Sequence, residues 1–226
     1  MGSVPDRPST IVSCAVSLDG YLDDASPDRL ILSGPEDLDE VDELRARSDA
    51  ILVGAGTIRA DNPRLLIRDE RRAAARAAAG KPPNPVRVTV TATGHLDPTA
   101  RFFTGPGIPL VYAATAAVPA AEKNLGDKAV VIDAGAELSL SAVLHDLSAE
   151  RQVAMLLVEG GAQLLRDVLA ANLADELRLA IAPFFVGDER APRFALPACY
   201  PYTSENPMAL LSVRQVGNVA VHHYKL

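Results

Sequence analysis

Val153-Ala154-Met155-Leu156-Leu157-Val158-Glu159-Gly160-Gly161-Ala162-Gln163-Leu164-Leu165 is the stretch whose reading decides the fold. The leading apolar run, Val153 to Val158, reads as a strand buried on both faces, the kind found inside a parallel sheet. A carboxylate and two glycines close it, and an apolar helix follows through Leu164, Leu165, Val168 and Leu169. Open α/β sheets bind ligands at such places, in the crevice beyond the strand ends and against a helix N-terminus. Adjacent glycines let the backbone approach a phosphate, because no Cβ intervenes. An acid beside a phosphate nest repels the ligand unless it points elsewhere. The same residues therefore also read as a plain strand-to-helix turn with an exposed Glu159.

Asp49-Ala50-Ile51-Leu52-Val53 repeats this pattern and breaks into Gly54-Ala55-Gly56-Thr57. The glycines match only the first half of a dinucleotide fingerprint. Arg59 replaces the third glycine, and no acid follows a strand about 20 residues on, so a Rossmann fold is rejected. Thr57 offers a hydroxyl beside two small residues, which suits a turn contacting phosphate or ribose; a tight strand exit with a Thr helix cap is the plainer alternative. Each glycine turn has an acid close by, Asp61 at one and Glu159 at the other. Asp19, at the end of a first strand over Ile11 to Val16, makes a third. Strand ends of one parallel sheet face the same side, so these groups are expected to converge on one cleft. Converging carboxylates suit proton donation and the orientation of a hydroxylated substrate. A phosphate would need cations as well. Arg45, Arg59, Arg64 and Arg68 lie in the right segment, although any one of them also reads as a solvated surface arginine.

The rest of the chain alternates helix and strand. Ser33-Gly34-Pro35-Glu36 opens a helix through Leu38, Val41 and Leu44 to Ser48, with proline suited to its first turn and acids near its start. Asp23 to Asp28 is a polar loop. Asp69 to Pro85 reads as a short exposed helix and a loop, a surface excursion. Strands are expected at Val86 to Thr91, Leu110 to Ala113, Ala129 to Ile132 and Asp175 to Ala182, with a Ser-capped helix from Ser139 to Ser148. Pro183 to Pro207 is a long loop. Leu210 to Val216 and Val219 to Tyr224 flank Gly217-Asn218 as a hairpin. Alternating β and α with a terminal hairpin means a mostly parallel central sheet with an antiparallel C-terminal edge.

Bulk properties narrow the function. At 226 residues the chain is long enough to bury a full core and reads as one domain over residues 1–226. A net charge of −7 argues against a general nucleic-acid or anionic-membrane binder. Cys14 and Cys199 form no CxxC, and the four histidines form no metal constellation, so no metal site is expected. There is no Gly-x-Ser-x-Gly elbow and no Walker loop, which leaves nucleophilic hydrolysis and NTP hydrolysis without support. Met1 to Thr10 lacks a signal-peptide core, and no apolar run nears the roughly 18 residues needed to span a bilayer. A cytoplasmic protein is the expectation.

Ser17-Leu18-Asp19-Gly20, the block from Leu44-Arg45-Ala46 through Gly54-Ala55-Gly56-Thr57 to Asp61-Asn62-Pro63-Arg64-Leu65, then Pro85 to Val88, Glu159-Gly160-Gly161, Asp175-Glu176-Leu177, Ala182-Pro183 and Val186-Gly187 together carry a resemblance. In this order they resemble the reductase domain of riboflavin biosynthesis. The resemblance implies a three-layer, dihydrofolate-reductase-like α/β fold and an NADPH-dependent reductase, usually a homodimer, that opens the ribosyl group of a phosphoribosylamino-pyrimidine to a ribityl chain. It implies coenzyme contacts at Gly54, Gly56, Thr57, Asp61, Gly160, Gly161, Ala162, Gln163 and Leu164. It implies substrate contacts at Asp19, Arg45, Leu65, Arg68 and Glu159, with the arginines on the 5′-phosphate, and a catalytic acid at Asp61 or Glu159. Guanidinium forks suit phosphate oxygens, in line with the demand for cations. Bacterial fusion enzymes of the family carry Lys where this chain has Ser13, which leaves both the uracil substrate and the 2,5-diamino-pyrimidinone open. The zinc signature of a deaminase partner is absent, so a stand-alone reductase is expected. A dihydropterin or secondary-metabolite substrate, or a nucleotide-binding homologue without catalysis, are the other readings. For selection of the coenzyme's 2′-phosphate, Arg87, Thr91 and Thr93 are the candidates.

Overall fold

Helix and strand alternate through most of the chain in the computed structural model, which describes residues 6–26 and 28–226. The expectations for residues 1–5 of the N-terminal stretch and for Pro27 of the polar loop lie outside the described residues. The elements run β1 (Ser9–Ser17), α1 (Pro35–Arg47), β2 (Ala50–Gly54), α2 (Ala55–Asp61), α3 (Glu70–Ala78), β3 (Val86–Thr91), α4 (Arg101–Thr104), β4 (Leu110–Ala113), α5 (Val118–Leu125), β5 (Val130–Asp133), α6 (Leu140–Ala149), β6 (Met155–Gly160), α7 (Ala162–Ala170), β7 (Glu176–Ala182), β8 (Ala209–Val216) and β9 (Val219–Lys225). The fold is α/β with mostly parallel strands and an antiparallel C-terminal hairpin.

Two compact units share these elements. In the unit holding Asp42–Leu157, the strand order is β5-β4-β3-β2, followed by the first residues of β6. Its β2, β3, β4 and β5 pair in parallel, with Gly54 opposite Val90 and Thr91 opposite Ala113. Ile51, Leu52, Val88, Val111, Leu156 and Leu157 are fully buried, as expected of strands covered on both faces. Asp49 ties two strand starts together: its carboxylate accepts the N–H groups of Ala154 and Met155 and takes Lys81 at 2.7 Å. In the unit holding Thr10–Val41 and Val158–Leu226, the last residues of β6 precede β1-β7-β9-β8. There β1 pairs with β7 in parallel, while β7–β9 and β8–β9 are antiparallel. Leu164, Leu165, Val168 and Leu169, the stripe read from the sequence, are the buried face of α7.

Three expectations change. The apolar residues of α1, Leu38, Val41 and Leu44, are only half-buried, whereas its acids Asp37 and Asp42 are fully buried. Each acid has an arginine partner, Arg178 for Asp37 and Arg72 for Asp42, and a paired carboxylate can be buried where an unpaired one cannot. The second change is an addition to α3, which is the short, largely exposed helix expected but is also anchored. Its Arg76 is buried and donates to the carbonyls of Ala46, Ser48 and Pro82 at 2.8, 2.7 and 2.9 Å. The third is α5, absent from the sequence reading, which begins with Pro119 in its first turn and buries Ala121 and Leu125.

Candidate active site

Sequence drives β2 straight into α2. Val53 is buried, Gly54 leaves the strand at φ −71 and ψ 150, and the helix starts with no side-chain cap. Ala55 and Ile58 face the core, Gly56 is exposed, and Thr57 and Asp61 are half-buried. Thr57 thus lies inside the helix and is not its cap, whereas the tight strand exit of the plainer reading is present. Asn62 stops the helix in the left-handed region at φ 43, its N–H bonded to the Ile58 carbonyl, and its side chain accepts the Arg101 N–H at 2.7 Å. Arg59 donates to the His95 carbonyl at 3.4 Å.

Beyond Asn62 the chain does something the sequence did not announce. Leu65 is buried and held at φ 53, a conformation that a non-glycine residue adopts at a cost of about 1–3 kcal/mol. The next residues are held almost entirely by side chains. Arg45 donates to the Leu66 carbonyl at 3.2 Å, and Asn84 accepts the Ile67 N–H at 2.8 Å. Asp42 accepts the N–H groups of Arg68 and Asp69 at 2.6 and 3.1 Å. Of the expected substrate contacts, Leu65 and Arg68 therefore lie on one braced loop, and Arg45 of α1 is one of the side chains that brace it. The Arg68 side chain is exposed and makes no ion pair among the described residues. Asp42 and Asn84 were missed. An acid within a helix whose apolar stripe is weak was the available signal, since buried acids need built partners.

The candidates for coenzyme 2′-phosphate selection fare differently. Arg87 is buried and donates to the carbonyls of Phe102, Gly105, Pro106 and Gly107, with Phe102 also stacked against the cation. Its donors serve that loop, which corrects the expectation for Arg87. Thr91 is buried, its hydroxyl accepting the Gly94 N–H at 3.0 Å, so it too is a turn-former. Thr93 remains exposed beside them.

In the other unit, Glu159 is half-buried at the end of β6, Gly160 is buried, and Gly161 takes φ 97 as the residue before α7. No side chain caps α7, and its first turn contains no acid. Gln163 is exposed and Leu164 buried. A helix start without a protein cap leaves backbone N–H groups and the positive end of the dipole for an anion. The residues from Gly160 to Leu164 thus fit a pyrophosphate group, and only glycine takes the φ of position 161 without strain.

Asp19 has a structural task. Its carboxylate accepts the Ser17 hydroxyl at 2.6 Å and the N–H groups of Val186 and Gly187 at 3.1 and 2.9 Å. Burial raises its pKa, but the bonds from Ser17, Val186 and Gly187 outweigh that and lower it to about 2. It fastens the turn after β1 to the loop after β7. Cys14 on β1 has its thiol pushed up to about 12 by burial, against the opposing charge of Arg178, and so stays protonated at neutral pH. No group of three or more His, Cys, Asp or Glu among the described residues could hold a metal ion. No described helix is long and apolar enough to cross a membrane.

Glycine turns close β2 in one unit and β6 in the other, each leading into a helix without a side-chain cap, in an α/β protein with mostly parallel strands. The chain is 39% identical over 187 residues to the 2,5-diamino-6-ribosylamino-4(3H)-pyrimidinone 5′-phosphate reductase of Archaeoglobus fulgidus, covering 82% of this chain and 85% of that protein. The reductase of the same name from Methanothermobacter thermautotrophicus is 35% identical, with 82% of each chain covered. The solved structure of Acinetobacter baumannii RibD shares the fold, with a TM-score of 0.80 at 23% identity over 98% of this chain and 58% of that one. The model of the RibD C-terminal domain matches residues 8–220, and the chain belongs to that family.

Proposed function

We propose that this protein is an NADPH-dependent reductase of riboflavin biosynthesis. Its substrate is 2,5-diamino-6-ribosylamino-4(3H)-pyrimidinone 5′-phosphate, whose ribosyl group it reduces to the ribityl chain. The observation that carries the reading is the 39% identity to the Archaeoglobus reductase of that name across most of both chains. Supporting it, α7 begins without a side-chain cap behind the Gly160-Gly161 turn, and Arg45 of α1 holds the braced loop that carries Leu65 and Arg68.

The residues that would hold the coenzyme are Gly54, Gly56, Thr57 and Asp61 at one turn and Gly160, Gly161, Ala162, Gln163 and Leu164 at the other. When bound, NADPH supplies the hydride that reduces C1′ of the sugar. The chain's own residues bind and orient the substrate and handle its proton. Arg45 and Arg68 meet the 5′-phosphate, with Leu65 packing against the substrate beside them. Asp61 or Glu159 gives a proton to the sugar ring oxygen as the ring opens. The protein works as a homodimer in the cytoplasm. Exposed Leu210, Leu211 and Val213 on the edge strand β8 are a surface that a second copy would cover. The unpaired Cys14 and Cys199 suit a reducing compartment.

The test is loss of NADPH absorbance with the purified pyrimidinone phosphate, its uracil counterpart and a dihydropterin, each repeated with NADH. Turnover with the pyrimidinone phosphate and a preference for NADPH are expected. Turnover of the dihydropterin alone would replace the substrate, and coenzyme binding without any turnover would make the chain a non-catalytic homologue.

A further inference from the structure

Asp42 is a buried acid to which the reading above gives no role, yet it is the most heavily engaged group beside the loop that carries Leu65 and Arg68. Its side chain is 3% exposed. One oxygen accepts the Arg68 N–H at 2.6 Å; the other accepts the Asp69 N–H at 3.1 Å and the Arg72 guanidinium at 3.1 Å. Asn84 accepts the Ile67 N–H, and Arg45 holds the Leu66 carbonyl. Residues 66 to 69 thus each have a backbone group fixed by a side chain, in a segment that belongs to no helix or strand.

A buried carboxylate is costly unless its lone pairs are filled, and here three donors fill them. A left-handed, buried Leu65 persists only where its surroundings over-determine it. Both facts find one explanation if the loop must keep a single conformation. An exposed turn with no binding task would relax to ordinary φ values, with its backbone satisfied by water. We propose that Asp42, assisted by Asn84, is a positioning residue for recognition of the substrate's phosphate. It fixes the Leu65–Arg68 segment in place, so that the Arg68 side chain is offered to an anion without first paying the entropy of ordering the loop. The inference rests on the phosphorylated-substrate reading. Asp42 itself touches no substrate.

The chemistry sets the design of the test. Asp42→Asn keeps size but puts an amide N–H where one oxygen accepted, so at least one backbone donor meets another donor. Asn84→Ala is milder, freeing only the Ile67 N–H. The KM of each variant is measured for the pyrimidinone phosphate and for its dephosphorylated counterpart, together with kcat and the KM for NADPH. Wild type is expected to favour the phosphorylated compound. In Asp42→Asn that preference falls by about tenfold, the scale of one charged hydrogen bond, and in Asn84→Ala by a smaller factor. In both variants the NADPH KM stays within about twofold, and the dephosphorylated KM, which feels the segment only through Leu65, rises by much less than the phosphorylated one. A purely structural acid would disturb all three constants together. A wild type indifferent to the phosphate would overturn both the inference and the reading beneath it. A wild type that prefers phosphate, with variants that keep its full preference, would overturn the inference alone. Should Asp42→Asn not fold, an unaltered preference in Asn84→Ala is the overturning result.

Discussion

The guanidinium of Arg178 on β7 lies 2.5 Å from the carboxylate of Asp37 on α1, with 7% and 1% of the two side chains exposed. Glu40 joins them at 2.9 Å from Arg178, and is itself gripped by both terminal nitrogens of Arg214 at 2.9 and 3.0 Å. The Arg214 hydrogen bond chiefly holds the Glu40 carboxyl below its usual range, with burial opposing and Arg178 adding to the effect. Removing the cation from such a network leaves Asp37 buried and unpaired. Arg178→Met is therefore expected to destabilise the fold by about 3–5 kcal/mol. The double variant Arg178→Met with Asp37→Leu should recover most of that loss, because it removes the stranded charge as well. Urea unfolding midpoints of the three proteins measure this. A single variant within about 0.5 kcal/mol of wild type would show that the pair carries no such weight.

Arg87 illustrates how a plausible ligand group can be consumed by architecture. Its guanidinium serves the carbonyls of residues 102 and 105–107, and a Cβ on Gly105 would stand 2.9 Å from it. Burial alone lowers its pKa from the ordinary guanidinium value. Arg87→Met should leave the ratio of kcat/KM for NADPH and NADH unchanged, while costing about 3 kcal/mol or more from stranded carbonyls. At this chain length that is a fall in Tm of roughly 6–12 °C. A collapsed NADPH preference at unaltered Tm would return Arg87 to the coenzyme.

The strands were legible because apolar runs of the right length, bounded by glycine and proline, have few other structures open to them. Leu156 to Val158 and Ile51 to Val53 are buried as read, and the α7 stripe matches residue for residue. The helix α1 misled because its burial is ionic: Asp37 and Asp42 look like solvent residues until Arg178 and Arg72 arrive from distant parts of the chain. Sequence spacing carries no information about such partners. The helix α5 was hidden by its length of eight residues, too short for an apolar stripe to repeat. At the site, glycine turns announced themselves locally, whereas the brace on residues 66–69 depends on side chains up to 27 positions away. The structural partners of Asp19 were hidden for the same reason, since Val186 and Gly187 lie more than 160 residues on.

Asp61 and Glu159 are both half-buried, one at the end of α2 and one at the end of β6. Positioned proton donation contributes about 10²–10⁴ in rate. Asp61→Asn and Glu159→Gln keep shape and hydrogen bonding but remove the acid. The variant that lacks the donor should lose kcat on that scale and lose the acid-dependent limb of its pH profile, while the other changes mainly KM. Steady-state kinetics across pH separate them. If both keep wild-type kcat, the proton comes from elsewhere, with water as the next donor to test.

Asp19 supplies a prediction in pH. Its carboxyl falls from the ordinary 3.8 to about 2 in the folded chain, since the bonds from Ser17, Val186 and Gly187 favour the charged form more than burial disfavours it. A depressed folded-state value means that the unfolded chain takes up its proton first as acid is added. The stabilisation is therefore whole above about pH 4 and is lost as pH falls through about 2. Asp19→Asn removes the titration while keeping an oxygen acceptor. The stability gap between wild type and Asp19→Asn should be level from pH 7 to pH 5 and shrink below about pH 4. Urea unfolding of both proteins at closely spaced pH values reads this directly. Because Asp19 fastens the turn bearing Leu18 to the loop bearing Phe185, both exposed, the variant should also speed amide exchange at Val186 and Gly187. A gap that stays level down to pH 3 would mean that these bonds do not favour the charged carboxylate.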